Sequence, residues 1–269
     1  MLVWGDAMLT TKNNSQSKLY YSFDGNTDKG QIRPRNEDYF SFFIPPDLKT
    51  SETLGSLFVI SDGVGGHLAG EVASAEAVNV LLQEYYFGDY SKKLPNRLKG
   101  AFAKAALHIF DLSKQHKDFS NMQCTLTALL LRQDQYIIAH AGDTKAFLLR
   151  DRTFSQLTKD HSLVAKLVRM GLVSQEQAKT HPYKHMLIRA LGESPLLPID
   201  IYTGTVQVGD VFCLVTDGIL EHLTEEELQR YLLENDTLDN IQKKLIQEVN
   251  QRGGCDNMTI LTVKVMEDG

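Results

Sequence analysis

The order of strand-like and helix-like segments constrains the fold of this chain more than any other feature of its sequence. Groups of short apolar or aromatic runs, which predict strands, are each followed by a pair of segments with a helical period. The first group predicts strands at 19–23, 39–44 and 57–60 and helices at 69–87 and about 94–119. A parallel sheet needs a crossover, usually a helix, between each strand and the next. This sequence does not show such regular strand–helix–strand alternation. The sequence therefore predicts α+β layers.

The same order returns in the second half of the chain. Closely spaced runs predict an antiparallel meander with a turn at 151–152, and an irregular helical stretch follows from 161 to 187. Thr224 to Glu227 has the pattern of a helix capping box. The predicted strands are 125–131, 136–141, 146–149, 199–206, 211–216 and 258–265, and the predicted helices begin near 225 and span 238–251.

One domain is expected over residues 19–266, because no internal repeat and no Pro/Gly/Ser-rich linker interrupts the sequence. Residues 1–18 are interpreted as an N-terminal extension whose order the sequence leaves open. Met8 is an alternative start, so the choice between Met1 and Met8 also stays open.

Charge and cysteine content exclude several classes of protein. The 28 Lys and Arg residues against 34 Asp and Glu residues give a formal net charge of −6, without the basic stripe that a nucleic-acid binder needs. The three cysteines have no Cys-x-x-Cys spacing, which argues against a disulfide framework or a cysteine zinc cluster and favours the cytoplasm. No run approaches the ~18 apolar residues of a membrane helix, so we expect no membrane segment.

Four aspartates stand at the ends of predicted strands, mostly beside a glycine: Asp62, Asp143, Asp217 and Asp256. Each alone fits a turn, where Asp and Gly are common. Together, they would repel one another unless a cation neutralised them. Carboxylate oxygens select Mg²⁺ or Mn²⁺ rather than zinc, and Gly63 would let a backbone carbonyl approach the ion.

Two further segments carry candidate functional residues. In the charged segment 28–38, Arg33 suits a phosphate and Glu37 and Asp38 add carboxylates; a solvated loop is the alternative. The glycine-rich stretch 63–70 fits neither nucleotide-binding fingerprint. Within it, His67 is a candidate for proton transfer, with a structural role as the alternative.

Taken in order, these segments resemble the metal-dependent serine/threonine protein phosphatases of type 2C, in their bacterial form, from about residue 20 to 265. The resemblance rests on seven motifs. They are Asp28-Lys29-Gly30 with Arg33 and Asn36-Glu37-Asp38; Ser61-Asp62-Gly63-Val64-Gly65-Gly66-His67 with Gly70-Glu71; Ala141-Gly142-Asp143-Thr144; Leu157-Thr158-Lys159-Asp160-His161; Arg189-Ala190-Leu191-Gly192; Thr216-Asp217-Gly218; and Cys255-Asp256-Asn257-Met258-Thr259.

The resemblance implies a four-layer αββα sandwich, in which two antiparallel β-sheets are flanked by helix pairs. It implies a flap at about 161–188, whose Leu163, Leu167 and Met170 are interpreted as packing residues. It further implies a site that holds two Mn²⁺ or Mg²⁺ ions and a weaker third. The implied ligands are Asp62 bridging two ions, Asp217 and Asp256 on one, the Gly63 carbonyl on the other, Asp143 with Asp217 on the third, and Glu37 and Asp38 through water, with Arg33 on the substrate phosphate.

The function implied is hydrolysis of phosphoserine and phosphothreonine in proteins by a hydroxide that bridges the metal ions. The expected partners are phosphorylated protein substrates and a bacterial serine/threonine kinase, and the protein is expected to be a cytoplasmic monomer. Two alternatives stay open: a non-catalytic phosphoprotein-binding regulatory module of the same fold, and a metal-dependent phosphodiesterase or nuclease.

The sequence departs from the family pattern at two places. Val64 stands where many members have a histidine two residues after the bridging aspartate, so the general acid is unassigned. Gln123 and Cys124 stand where relatives commonly carry Gly and Thr, a change that removes no ligand.

Overall fold

The structure is a computed structural model that describes residues 19–65, 69–88, 93–115 and 117–267. The predicted N-terminal extension at 1–18 and the candidate His67 lie outside the described residues. The strands are β1 (Leu19–Asp28), β2 (Asp38–Phe43), β3 (Ser56–Val64), β4 (Gln123–Cys124), β5 (Leu126–Arg132), β6 (Gln135–Ala141), β7 (Lys145–Arg150), β8 (Thr153–Gln156), β9 (Asp200–Thr205), β10 (Val211–Val215) and β11 (Met258–Glu267).

Two long helices lie between β3 and β4, and three shorter ones lie between β10 and β11. The α-helices are α1 (Leu48–Leu54), α2 (Ala69–Phe87), α3 (Leu94–Gln115), α4 (Leu163–Arg169), α5 (Gln175–Lys179), α6 (Asp217–Leu220), α7 (Glu225–Leu232) and α8 (Leu238–Gln251). The capping box predicted at Thr224 and Glu227 is present at the start of α7. Within the described residues, no helix combines the length and the apolar character that crossing a bilayer requires.

All strand pairs in the two sheets are antiparallel. Sheet A has the order β1-β11-β10-β7-β8, and sheet B has the order β2-β3-β5-β6-β9, with β4 paired to β3. Sequence neighbours do not always pair, since β1 at the start of the described chain lies beside β11 at its end.

Three apolar clusters hold the layers together. Between the sheets, Phe58 and Leu129 of sheet B pack with Phe212 and Leu261 of sheet A. The α2 and α3 helices cover the outer face of sheet B, and α7 and α8 cover that of sheet A. Because each fully buried Leu or Phe side chain contributes about 1.5–3 kcal/mol, these clusters stabilise the four layers. The predicted αββα sandwich is confirmed.

An ion pair ties the two sheets at the end of β7 opposite to Asp143. Arg150 donates to both carboxylate oxygens of Asp210 at 2.8 and 2.6 Å, and to the Thr205 carbonyl of sheet B at 2.7 Å. Asp210 is buried. Both charges are therefore satisfied, as a buried pair requires.

Most predicted elements are present, with differences at short or exposed ones. The α2 and α8 helices have the predicted bounds, whereas α1 and α6 were not predicted. No residue of α1 is buried, so it carries no apolar period to detect. In the flap, the packing role expected for Met170 is wrong, because its side chain is 62% exposed.

Candidate active site

Strand pairing places two of the candidate carboxylates opposite one another. Asp38 begins β2 and is the register partner of Asp62 in β3. Directly opposed residues of an antiparallel pair project to the same face, where like charges repel. Both carboxylates can therefore be charged at once only if a positive charge neutralises them.

Sheet A and the β6–β7 turn bring three further carboxylates to the same end of the sandwich. Asp217 follows β10, Asp256 precedes β11 and Asp143 lies in the turn before β7. The charges of these three residues and of Asp38 all act on the Asp62 carboxyl group. We refer to Asp38, Asp62, Asp143, Asp217 and Asp256 as the carboxylate cluster.

Burial and mutual repulsion raise the pKa values of three members of the cluster. Burial raises the pKa of both Asp38 and Asp143 to about 7, and nearby carboxylates add to the shift. Burial, followed by the charge of Asp38, raises the pKa of Asp62 well above its usual value. Without a cation, the cluster therefore retains protons at near-neutral pH.

The pKa of Asp217 shifts in the opposite direction. Burial alone would raise its pKa, but hydrogen bonds from His185 and Asp62 and the charge of Lys145 lower it overall. Asp217 therefore favours its charged form, whereas Asp38, Asp62 and Asp143 favour their protonated forms. A divalent cation would replace the protons on these acids as the neutralising charge.

The oxygens of Asp38 show that the cluster suits a hard cation. Its Oδ2 accepts hydrogen bonds from Thr216 Oγ1 at 2.8 Å and Thr259 Oγ1 at 2.7 Å, which fix the carboxylate. Its buried Oδ1 has no hydrogen-bond partner among the described residues. Since buried polar atoms are normally satisfied, this oxygen and its acidic neighbours fit Mg²⁺ or Mn²⁺ bound directly or through water.

Two glycines allow the backbone to approach the cluster closely. A Cβ atom on Gly63 would lie 2.1 Å from the Gly70 carbonyl oxygen, and one on Gly218 would lie 2.0 Å from the Asn257 carbonyl oxygen. Neither position has room for a side chain. The approach of the Gly63 carbonyl to an ion stays a prediction.

Asn257 holds the charged 28–38 segment beside the cluster. Its Nδ2 donates to the Lys29 carbonyl at 2.9 Å and the Arg35 carbonyl at 2.7 Å, and its Oδ1 accepts the Glu37 N–H at 2.8 Å. Burial raises the pKa of Glu37. These bonds hold the segment as a wall of the site, and residues 31–35 within it are exposed to solvent.

Arg33 points from this wall toward the cluster. Its Nη2 lies 2.6 Å from Asp256 Oδ2, and its side chain is 50% exposed. The hydrogen bond to Asp256 raises the pKa of the guanidinium further above its usual value. The Arg33 guanidinium is therefore held in place, and an anion can still reach it from solvent.

The Asp143 turn is fixed from two sides. A Cβ atom on Gly142, whose φ is +120°, would lie 2.4 Å from Thr125 Cβ. The Gly142 N–H donates to His161 Nδ1 at 3.1 Å, and the Gly142 carbonyl accepts the His161 N–H at 2.8 Å. The start of the flap is thus attached to the turn that carries Asp143.

The end of the flap contacts the cluster through a histidine that the sequence analysis missed. His185 Nδ1 lies 3.5 Å from Asp217 Oδ2, and its Nε2 lies 3.1 Å from Glu221 Oε1. The hydrogen bond to Asp217 raises the pKa of His185. Nothing in the irregular sequence around residue 185 distinguishes this histidine from an exposed one.

The structure brings together every described residue that the sequence analysis singled out for the site. It also adds supporting residues that were not predicted. Thr216, Asn257 and Thr259 stand in motifs quoted for the family resemblance, but the sequence analysis gave them no role. The residues brought to this end are Arg33, Glu37, Asp38, Asp62, Gly63, Asp143, Asp217 and Asp256.

Comparison with known families agrees with this geometry. The family model described as protein phosphatase 2C matches residues 35–253. The chain belongs to the protein phosphatase 2C family. That match includes Asp38, Asp62, Asp143 and Asp217 of the carboxylate cluster and ends three residues before Asp256. The layer order of the sandwich fits the same family.

Individual relatives of this phosphatase 2C chain come from several bacteria. The serine/threonine phosphatase stp of Listeria monocytogenes serotype 4b is 34% identical over 241 residues, which cover 88% of this chain and 93% of the relative. The Streptococcus agalactiae serine/threonine phosphatase structure has a TM-score of 0.81 and 30% identity, covering 91% of this chain and 99% of that one.

A solved relative also contains metal. The catalytic domain of the serine/threonine protein phosphatase PstP, in complex with two manganese ions, has a TM-score of 0.79 and 27% identity. The match covers 93% of this chain and 100% of that one. A manganese-bound member of the family therefore shares the fold of this phosphatase 2C chain.

Proposed function

We propose that this chain is a metal-dependent protein phosphatase that hydrolyses phosphoserine and phosphothreonine in proteins. The observation that carries the proposal is the carboxylate cluster, in which acids of two sheets meet and in which burial, together with mutual repulsion, raises the pKa of Asp38, Asp62 and Asp143. The names of its relatives, which are serine/threonine phosphatases, support the substrate class.

The cluster offers an all-oxygen set of ligands for two Mn²⁺ or Mg²⁺ ions and a weaker third. When bound, such ions lower the pKa of water and neutralise charge on the phosphoryl oxygens. The manganese-bound relative supports metal dependence. We assign Asp62, the Gly63 carbonyl, Asp217 and Asp256 to the two ions, Asp143 with Asp217 to the third, and Glu37 and Asp38 to contacts through water.

Arg33 is assigned to the substrate phosphate. A planar guanidinium can bind two phosphate oxygens at once, and half of this side chain is accessible. Its contact with Asp256 holds it beside the cluster. Because Arg33 carries a permanent charge, it stabilises the phosphoryl group throughout the reaction.

The wider biological role is inferred from the family resemblance. We propose phosphorylated proteins as substrates, a cognate serine/threonine kinase as the opposing enzyme, a cytoplasmic location and a monomeric state. A non-catalytic phosphoprotein-binding module would not require the cluster, whose burial is unfavourable without a cation. The intact set of carboxylates therefore favours the enzyme.

The proposed function is tested with Asp62→Asn, which keeps the side-chain shape and removes the charge. With added Mn²⁺, kcat/KM for para-nitrophenyl phosphate and for a phosphothreonine peptide should fall at least about 1,000-fold, since several kcal/mol of transition-state stabilisation are lost. Asp239→Asn, on the exposed side of α8, is the matched control and should retain activity. Near-normal turnover by a folded Asp62→Asn protein would contradict the assignment.

The class of ester is tested in the same assay. Bis-para-nitrophenyl phosphate, a diester, should be a much poorer substrate than the phosphothreonine peptide. Faster hydrolysis of the diester would favour the phosphodiesterase alternative. A wild-type protein that binds Mn²⁺ and the phosphopeptide but turns over neither substrate would favour the non-catalytic module.

A further inference from the structure

A second group of metal-ligating side chains lies beside the carboxylate cluster but differs from it in chemistry. Glu221, His222 and Cys255 each offer one ligand atom, and these atoms lie within 4.8 Å of one another. Cys255 Sγ lies 3.1 Å from His222 Nε2 and 2.9 Å from Glu221 Oε2. A thiol, an imidazole and a carboxylate form a mixed donor set, which suits Zn²⁺ better than Mg²⁺ or Mn²⁺.

The hydrogen bonds at His222 define its tautomer. The backbone N–H of Cys255 donates to His222 Nε2 at 3.2 Å, so this nitrogen is unprotonated and its lone pair accepts that bond. A neutral imidazole is the form that binds metal, so the ring already has the required protonation state. On metal binding, the lone pair would turn from the Cys255 N–H to the ion.

The thiol of Cys255 has more acceptors around it than it can satisfy. It carries one hydrogen, yet both His222 Nε2 and Glu221 Oε2 lie within hydrogen-bond distance of the sulfur. A cation placed between the sulfur, the imidazole nitrogen and the carboxylate oxygen could be coordinated by all three atoms. The thiol proton would pass to solvent when the metal binds, leaving the thiolate as the ligand.

The spacing of the three atoms is close to that of a tetrahedral zinc site. With Zn–S of about 2.3 Å and Zn–N or Zn–O of about 2.1 Å, ligand atoms at tetrahedral angles lie about 3.5 Å apart. The observed separations of 3.1 and 2.9 Å require an outward movement of about half an ångström, which side-chain rotation can supply.

The surrounding contacts hold the ligands in place. Arg252 donates to the His222 carbonyl at 2.8 Å and pairs with Glu227 at 2.7 Å, which connects the two loops that carry the ligands. Glu221 Oε1, the oxygen that faces away from Cys255, is held by Lys184 at 3.1 Å. Fixed outer contacts of this kind are typical of metal sites.

We propose that Glu221, His222 and Cys255 form a separate site for a thiophilic divalent ion of the Zn²⁺ class, with its fourth position open to solvent. Glu221 lies one helical turn after Asp217, and Cys255 directly precedes Asp256. The site is therefore adjacent to the carboxylate cluster while sharing none of its ligands.

The test uses Co²⁺ as a spectroscopic probe on the full chain already saturated with Mn²⁺. Wild-type protein should bind one equivalent of Co²⁺ with a sulfur-to-cobalt charge-transfer band, which an all-oxygen site cannot produce, and Zn²⁺ should abolish the band. Cys255→Ser should lose the band, and His222→Ala and Glu221→Gln should weaken Co²⁺ binding at least tenfold. His181→Ala, a flap histidine outside the group, should bind Co²⁺ like the wild type.

Thermal unfolding of each variant without Co²⁺ shows whether it is folded. No thiolate band in the wild type would overturn the proposal, as would a band that persists in folded Cys255→Ser. Unchanged Co²⁺ affinity in both His222→Ala and Glu221→Gln would also overturn it. None of these readouts depends on turnover, so they test this site independently of the proposed phosphatase activity.

Discussion

Asn257→Ala tests whether the wall of the site is positioned by one side chain. The asparagine makes three hydrogen bonds to the backbone of the 28–38 segment, at 2.7, 2.8 and 2.9 Å, and its side chain is buried. This segment carries Arg33 and Glu37, and its other contacts beside Asn257 are the Arg33–Asp256 ion pair at 2.6 Å and the bond from the Gln31 N–H to the Gly254 carbonyl at 2.7 Å. Removing the amide leaves three backbone groups to find water or to shift.

The expected magnitude follows from these contacts. Each hydrogen bond contributes about 0.5–1.5 kcal/mol net, and the freed backbone groups can partly rehydrate, so the loss is about 2–3 kcal/mol in total. At about 1.4 kcal/mol per tenfold change, kcat/KM should fall roughly 30- to 150-fold. We expect a raised KM as part of this loss, because Arg33 is no longer held where the phosphate binds.

The assay is the Mn²⁺-dependent hydrolysis of a phosphothreonine peptide over a range of peptide concentrations. Asn240→Ala is the matched control, since Asn240 also donates from its side-chain amide, in this case to Asp236, but lies at the start of α8. It should have wild-type kinetics. If a folded Asn257→Ala protein keeps kcat/KM within threefold of the wild type, the segment is positioned by other contacts and the reasoning is refuted.

Three other outcomes are expected. Burial raises the pKa of Asp38 and Asp143 to about 7 from about 4 in the unfolded chain, so folding favours their protonated forms. The stabilisation that Asp38 and Asp143 contribute is therefore full below about pH 4 and is lost as the pH rises through about 7. The melting temperature of EDTA-treated protein should fall between pH 5 and pH 8. Added Mn²⁺ should restore the melting temperature at pH 8. A flat or rising profile would contradict this. Arg33→Ala should raise KM at least tenfold by removing one charge-assisted contact, and initial-rate kinetics with no change in KM or kcat would exclude the assigned role. Arg150→Ala should cost about 2–3 kcal/mol, because it leaves buried Asp210 with fewer partners; urea unfolding should detect this, with kcat/KM unchanged.

Periodicity and turn chemistry were sufficient to predict the layers but not the strand pairing. The α2 and α8 helices were predicted with their observed bounds, because their apolar residues recur at helical spacing. The pairing of β1 with β11 joins residues that are far apart in sequence, and no local pattern encodes such a register. The short α6 helix was missed because four residues cannot display a period.

The candidate site was predicted as a list of residues, and its geometry was not. The aspartates were identified because strand ends and glycines mark turns, but the opposition of Asp38 and Asp62 depends on the β2–β3 register. The partners of Asp38 and of the 28–38 segment lie about 180 to 230 residues away in sequence. Contacts at that separation arise from tertiary structure, so the roles of Thr216, Thr259 and Asn257 were not predictable.

The two ends of the sandwich are joined by different chemistry, and this links metal binding to folding. At one end, Arg150 of sheet A satisfies Asp210 and reaches the Thr205 carbonyl of sheet B. At the other end, Thr216 and Thr259 on the sheet A side donate to Asp38 of sheet B, but the remaining charge is carboxylate facing carboxylate. Because that repulsion acts between the sheets, a cation in the cluster removes a force that separates them. The same ions that the reaction requires should therefore also stabilise the sandwich, since ligands that bind only the folded state shift the folding equilibrium.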